Sequence, residues 1–126
     1  MRSQELAERA HQELEAAELL AGAGFAAQAV SRAYDAAFYA AEAVLLELDE
    51  TRSKHSGVIA AFVRLAVKDG DMPADAGRLL RSLFDRRGQA DYSTVPVPVS
   101  EAEAAIADAG QVVDSVTAWL RNRAAG

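Results

Sequence analysis

Two adjacent arginines, a carboxylate and a tyrosine lie within seven residues of an otherwise alanine- and leucine-rich chain. The stretch begins with Arg86 and Arg87 and ends with Asp91 and Tyr92. Arginine binds phosphate and carboxylate groups through a planar fork of N–H donors, and a carboxylate can accept or orient a proton. This stretch is therefore the first place to look for chemistry.

Helical spacing predicts that both arginines are partly buried. Arg87 follows Leu80 and Phe84 on one apolar stripe, and Arg86 continues the neighbouring stripe in the same way. Asp91 lies one helical turn after Arg87, so an ion pair between them is expected. If the pair is partly buried, removing the Asp91 side chain should cost about 2–4 kcal/mol. A surface pair would cost under about 1 kcal/mol.

Three more side chains are candidates for a site. His55 opens the third predicted helix, and Arg32 and Tyr34 bring polar groups to an apolar helix. The structural alternative is a solvated or capping histidine, and a tyrosine whose ring belongs to the core with its hydroxyl at the edge. Neither His11 nor His55 has other ligand-type residues at a metal-binding spacing, so we expect no metal site and no cofactor.

Length and composition predict one all-α domain spanning residues 1–126. Hydrophobic residues make up 51% of the chain, much of it alanine, and β-branched residues are sparse outside the segment 95–99. Alanine, leucine, glutamate and arginine are strong helix formers. Apolar periodicity then predicts five helices, at about residues 3–21, 26–48, from residue 53 or 56 to 68, 73–90 and from 100 onward.

Glycine, proline and serine residues mark the predicted helix ends. The Gly22-Ala23-Gly24 segment is a turn between the first two helices. Residues 94–99 form an extended strap, because a residue before proline is pushed out of the helical conformation. Ser53 or Ser56 caps the third helix, and Ser100 with Glu103 forms a capping box at the last one. Short turns favour antiparallel neighbours, hence a single up-and-down bundle.

The charge and the apolar runs limit the class of partner. The net charge of -6 argues against strong non-specific affinity for nucleic acid, although the arginines between residues 78 and 87 leave room for a local basic site. No apolar run approaches the ~20 residues of a membrane span, and no signal-peptide core follows the N-terminus. The chain contains no cysteine. We expect a soluble cytoplasmic protein with no membrane partner.

Three segments, taken together, resemble the HEPN domain family, in its small stand-alone prokaryotic branch. They are residues 29–41 (AVSRAYDAAFYAA), residues 54–58 (KHSGV) with the later Phe62, and residues 87–92 (RGQADY). The resemblance covers essentially the whole chain. It implies a helical bundle that dimerises, often with a minimal nucleotidyltransferase as partner. Many HEPN proteins are metal-independent ribonucleases of toxin-antitoxin and defence systems.

The family's catalytic motif is an arginine followed four to six residues later by a histidine. Counted from Arg86, that position here is Asp91, as in a branch with the motif Arg-x-x-Ala-Asp-Tyr. His55 is the imidazole available to replace the missing one. The resemblance thus implies two groups of candidate residues. The catalytic candidates are Arg86, Arg87, Asp91 and His55, and the RNA- or nucleotide-binding candidates are Arg32, Tyr34 and Tyr92.

Three functions remain open at this point. They are a ribonuclease, a non-catalytic nucleotide- or RNA-binding module, and an assembly partner of a nucleotidyltransferase. The clustered arginines favour the first two, and the acidic net charge favours the third. The alanine-lined helix faces exceed what a five-helix monomer can cover, so we also expect a homodimer or a higher homo-oligomer.

Overall fold

Five α-helices account for most of residues 2–126, the part of the chain that this computed structural model describes. They are α1 (Ser3–Gly22), α2 (Ala26–Glu47), α3 (His55–Ala61), α4 (Ala74–Tyr92) and α5 (Val99–Ala125). A π-helix, Phe62–Lys68, continues α3 without a break. The prediction of an all-α fold with about five helices is confirmed. Within the described residues no helix is long and apolar enough to cross a membrane.

Helix α2 is the centre of the bundle and packs against α1, α4 and α5. Its contact faces are largely alanine: Ala29, Ala33 and Ala37 have no exposed surface. Facing alanines on the neighbours, such as Ala10 and Ala109, are equally buried. Small side chains let helix backbones approach closely, so the core is built by proximity of helices more than by bulky layers.

The turn between α1 and α2 depends on Gly24. This residue has φ = 90°, a left-handed conformation in which a residue with a side chain would be strained. The Phe25 N–H donates to the Leu20 carbonyl at 2.8 Å and the Gly24 N–H donates to the Ala21 carbonyl at 3.1 Å. These bonds satisfy carbonyl groups that the end of α1 leaves free. The predicted turn is confirmed, and it makes α1 and α2 antiparallel neighbours.

The predicted serine caps are wrong. Helix α3 has Lys54 at its N-cap, and α5 has Pro98 there, with no side-chain cap hydrogen bond at either helix. Pro98 ends the extended strap at φ = -64° and ψ = 147°, and its carbonyl accepts the Glu101 N–H at 3.1 Å. The helix therefore begins at Val99, and Ser100 falls within its first turn, so the box with Glu103 does not form.

The π-helical segment brings α3 and α4 into close contact. Its Phe62 and Ala66 are buried in the core. On the α4 side stands Gly77, where a Cβ atom would meet Val63 Cγ2 at 3.2 Å and Val67 Cγ2 at 3.3 Å. The absence of a side chain at Gly77 thus lets α4 approach the two valines of the π segment.

Candidate functional site

The candidate site is assembled around Tyr34, which lies at the middle of α2 and has no exposed surface. Its hydroxyl is 2.8 Å from Nδ1 of His55, the first residue of α3. The His55 ring also stacks on Phe38, with 4.0 Å between ring centroids and 12° between planes. Two aromatic residues of α2 therefore fix the position of an exposed imidazole.

The Tyr34 hydroxyl also determines which nitrogen of His55 carries the proton. Burial raises the pKa of Tyr34 far above its usual value, so the hydroxyl stays protonated. Within residues 2–126 this buried hydroxyl has no other hydrogen-bond partner, so we infer that it donates to Nδ1, which leaves the proton of the neutral ring on Nε2. Burial and then the charge of Arg87 lower the pKa of His55, opposed by Asp35. At neutral pH the imidazole is therefore uncharged and presents an N–H outward.

Arg87 approaches the same tyrosine from α4. Its guanidinium carbon lies 5.3 Å from the Tyr34 ring centroid, within the range of a cation–π contact. Its Nε donates to Asp91 Oδ2 at 3.1 Å, and the other oxygen of Asp91 accepts a 2.5 Å hydrogen bond from the Ser31 hydroxyl. The predicted Arg87–Asp91 pair is present, with about a third of each side chain exposed (35% and 33%).

An open depression of about 370 Å³ lies between α2 and α4 at this point, and Arg87, Asp91, Ser31, Arg32 and Asp35 are among its lining residues. Burial raises the pKa of Asp35, and the nearby Arg32 and Arg87 oppose that effect. Arg32 is held by Asp35 at 3.5 Å and by a further carboxylate on α1. The depression is therefore lined by two cation–carboxylate pairs, Arg32 with Asp35 and Arg87 with Asp91.

That further carboxylate belongs to Glu13, which is only 6% exposed. It accepts from Arg32 at 3.1 Å and from Arg9 at 2.9 Å. Glu13 was not among the residues that sequence reasoning singled out. Its position, seven residues after Leu6 and four before Ala17, puts it on the buried face, and that spacing was the available signal.

The structure separates some of the candidates from this group. Arg86 turns to α5 and pairs with Asp108 at 2.7 Å, while its buried Nε has no hydrogen-bond partner among residues 2–126. Tyr34 cannot touch a ligand, because its side chain is fully covered. Tyr92 is 88% exposed and lines a shallow depression with Arg87 and Asp91. Arg87, Asp91, His55 and Arg32 are the candidates that surround Tyr34 or border the depression beside it.

Sequence reasoning did not single out Ser31 and Asp35. Both lie on α2 within the HEPN-like segment, and they are one helical turn apart, so that they share a face. Serine and aspartate on an otherwise alanine-rich central helix were the usable signal. Chemically, the group offers N–H donors from Arg87 and His55, which suit an oxyanion, and carboxylates from Asp35 and Asp91, which suit a hydroxyl proton.

Comparison with known proteins places the chain in a family. The model of the HEPN domain matches residues 3–119. A protein of Methanocaldococcus jannaschii named "Putative toxin" is 36% identical over 94% of this chain and 88% of its own length. A second protein of that organism with the same kind of name is 34% identical over 79% of this chain and 69% of its own length. A "UPF0332 protein" of Gloeobacter violaceus is 35% identical over 82% of both chains. The chain belongs to the HEPN domain family.

Proposed function

We propose that this chain is the HEPN component of a toxin-antitoxin or defence pair, and that it cleaves RNA without a metal ion. The observation that carries the RNA part is that the Arg87 guanidinium and the His55 imidazole flank the same buried tyrosine ring. The names of the two archaeal relatives support the toxin-antitoxin part. The family resemblance supports a minimal nucleotidyltransferase as the partner.

Phosphate binding is the first step that these residues can perform. Arg87 uses only its Nε on Asp91, and its two terminal nitrogens have no hydrogen-bond partner within residues 2–126. The outward Nε2–H of His55 supplies another donor. Arginine binds phosphate through two parallel N–H bonds, and a donor from a different helix adds orientation. Arg32, already held by Glu13 and Asp35, contributes positive potential at the edge.

Cleavage requires a base, an acid and charge stabilisation at the phosphate. The 2'-oxygen attacks phosphorus and the bond to the 5'-oxygen breaks. The 2'-hydroxyl proton passes to a carboxylate, and Asp35 suits this role because burial raises its pKa and hence its basicity. The 5'-oxygen takes a proton from the His55 imidazolium, which the charge of a bound phosphate favours by raising the pKa of the ring. Arg87 neutralises the charge that develops on the phosphate.

The second candidate is a non-catalytic binding or assembly role. It is favoured by the carboxylate of Asp91, which already occupies the Nε of Arg87 and repels phosphate. The net charge of -6 favours a protein partner over nucleic acid for the rest of the surface. An RNA assay with variants at these positions separates the two candidates.

The experiment is gel cleavage of a mixed RNA pool with EDTA present. Histidine at position 91 adds a group that can give and take a proton at neutral pH, so Asp91→His should raise cleavage about 100-fold. Adding Arg87→Ala should abolish the gain. Arg78→Ala is the matched control, because Arg78 lies on the same helix in an exposed pair with Asp75.

One outcome supports the proposal and another refutes it. If the wild-type protein already cuts RNA and His55→Ala stops it, His55 is the working imidazole and Asp91 orients Arg87. If neither the wild type nor Asp91→His cuts while both remain folded, the ribonuclease proposal fails. RNA binding that Arg87→Ala weakens then supports the binding role, and its absence leaves the assembly role.

A further inference from the structure

A second depression, of about 350 Å³, lies between α1, α2 and the connection to α3. Its floor is made of leucine and valine side chains, including Leu45 and Val58, which are both almost fully buried. Its charged groups come from Arg9, Glu42 and Arg52. Pockets that bind small molecules are typically of this size, mostly apolar, with a few polar groups that orient the ligand.

Glu42 is the unusual member of this pocket. It is half-buried, and within residues 2–126 its carboxylate has neither a hydrogen bond nor an ion pair. Burial raises its pKa. The two arginines of the pocket form ion pairs with other carboxylates, because Arg9 pairs with Glu13 and Arg52 pairs with Glu50. A partly buried, unpartnered carboxylate is costly to keep, and a ligand that donates hydrogen bonds would remove that cost.

The chemistry of the pocket selects among ligands. An apolar floor suits a flat ring, and Arg9 lies 5.0 Å from the Tyr39 ring centroid, so planar groups already stack at the rim. A carboxylate binds best to two adjacent N–H donors. Among the nucleobases, only guanine presents such a pair, at N1–H and the 2-amino group. Adenine, cytosine and uracil each place an acceptor beside their donor, and that acceptor would face the carboxylate.

The pocket is also close to the candidate site. Asp35, Tyr39 and Glu42 are spaced i, i+4 and i+7 on α2, so they share a face, and seven residues of helix span about 10 Å. The Tyr39 ring contacts Phe38, on which His55 stacks. An RNA strand whose phosphate lies at Arg87 and His55 can therefore place a neighbouring base in the pocket.

We propose that this pocket binds guanine, with the Glu42 carboxylate accepting hydrogen bonds from N1–H and the 2-amino group. As a specificity pocket for RNA cleavage it rests on the proposed function. As a binding site for a guanine nucleotide it stands independently. Glu42 selects the base that is bound next to the scissile phosphate. Arg9 and Arg52 face the sugar-phosphate side of the nucleotide.

The direct test is calorimetric binding of guanosine, inosine and adenosine 5'-monophosphates to the whole chain. Inosine lacks the 2-amino group and adenosine lacks both donors. Losing a hydrogen bond to a charged group weakens binding about tenfold or more. Guanosine monophosphate should therefore bind at least about tenfold more tightly than either of the others. Equal affinities in the wild type, or no binding at millimolar concentration, would overturn the proposal without any variant.

Variants separate the pocket from the phosphate site. Glu42→Gln keeps the size of the side chain and should remove the preference for guanine. Glu18→Gln, at an exposed position on α1, and Arg87→Ala, in the other depression, should both keep it. A preference that survives in Glu42→Gln contradicts the assignment.

Mapping the ends of cleaved RNA distinguishes failure of the pocket from failure of the proposed function. Cleavage without base preference refutes the pocket and leaves the ribonuclease proposal intact. Glu42-dependent binding of guanosine monophosphate by a protein that neither binds nor cuts RNA supports the pocket and refutes the ribonuclease. Cuts next to guanine that become indiscriminate in Glu42→Gln support both.

Discussion

Replacing Tyr34 by phenylalanine removes a single hydrogen bond, and we expect it to raise the pKa of His55. In the folded protein that pKa is lowered, first by burial and then by Arg87. The Tyr34 hydroxyl lies 2.8 Å from Nδ1 and can donate to that nitrogen only when the imidazole is neutral. Without the hydroxyl the neutral form loses a partner, so the imidazolium forms more easily.

The size of the effect follows from one net hydrogen bond. Such a bond stabilises a protein group by about 0.5–1.5 kcal/mol, which changes the ratio of neutral to protonated imidazole roughly 2- to 13-fold at a given pH. The phenylalanine ring keeps the contacts with Phe38 and Arg87 that Tyr34 makes through its ring. The hydroxyl is therefore the only group removed.

Carbon-detected NMR titration of the histidine rings measures this change. The chain has two histidines, and His11 lies 3.4 Å from Thr117 on α5, away from the site, so its signal serves as the internal control. His55→Gln identifies the signal of interest. If the His55 pKa falls or stays the same in Tyr34→Phe while the protein remains folded, the tyrosine does not donate to Nδ1, and the assignment of the Nε2–H tautomer is refuted.

Further predictions concern stability and assembly. Asp91→Ala should lower the free energy of unfolding in urea by about 1–2 kcal/mol, because it breaks hydrogen bonds to Arg87 and Ser31. In a double-mutant cycle, the coupling energy between Arg87 and Asp91 should stay below about 1 kcal/mol, because both side chains are about a third exposed. Glu42→Gln should raise the melting temperature at pH 7, because the raised pKa of Glu42 means that its ionised form destabilises the folded protein. The gain should vanish below the ordinary glutamate pKa of about 4.3, where the side chain is protonated in both the folded and the unfolded protein. Neutral His55 should stabilise the fold fully above about pH 6.5, and this contribution should be lost as the pH falls through the lowered pKa of His55. Urea denaturation measured as a function of pH should show this decline in the wild type and not in His55→Gln. Light scattering should show a homodimer or larger assembly that Tyr92→Ser weakens, and a monomer at micromolar concentration would contradict this.

Most of the fold was predictable from the sequence because its signals are local. Helical periodicity and the Gly24 turn fixed the number of helices and their order. The caps were mispredicted because the Pro98 carbonyl, not the Ser100 hydroxyl, receives the first N–H groups of α5. The π-helix was not predicted, since an i→i+5 pattern over Phe62–Lys68 leaves a sequence signature close to that of an α-helix.

The candidate site was less accessible to sequence reasoning because it depends on contacts between distant helices. The pairing of Arg87 with Asp91 is local and was predicted. The bond between Tyr34 and His55 joins residues 21 positions apart, and the one between Ser31 and Asp91 joins residues 60 apart. Arg86 and Arg87 looked equivalent in sequence, yet a rotation of 100° per residue sends one to Asp108 and the other to Tyr34.

The close contact between the π-helix and Gly77 has an evolutionary consequence. A π segment holds one residue more than the α-helix it interrupts, so a one-residue deletion within Phe62–Lys68 would convert it into regular α-helix and rotate Val63 and Val67 away from α4. Gly77 would then face a gap, whereas at present any side chain there meets those valines within 3.3 Å. Loss of the extra residue and replacement of Gly77 by a larger one are therefore compensating events. We expect related chains to have changed at both places or at neither.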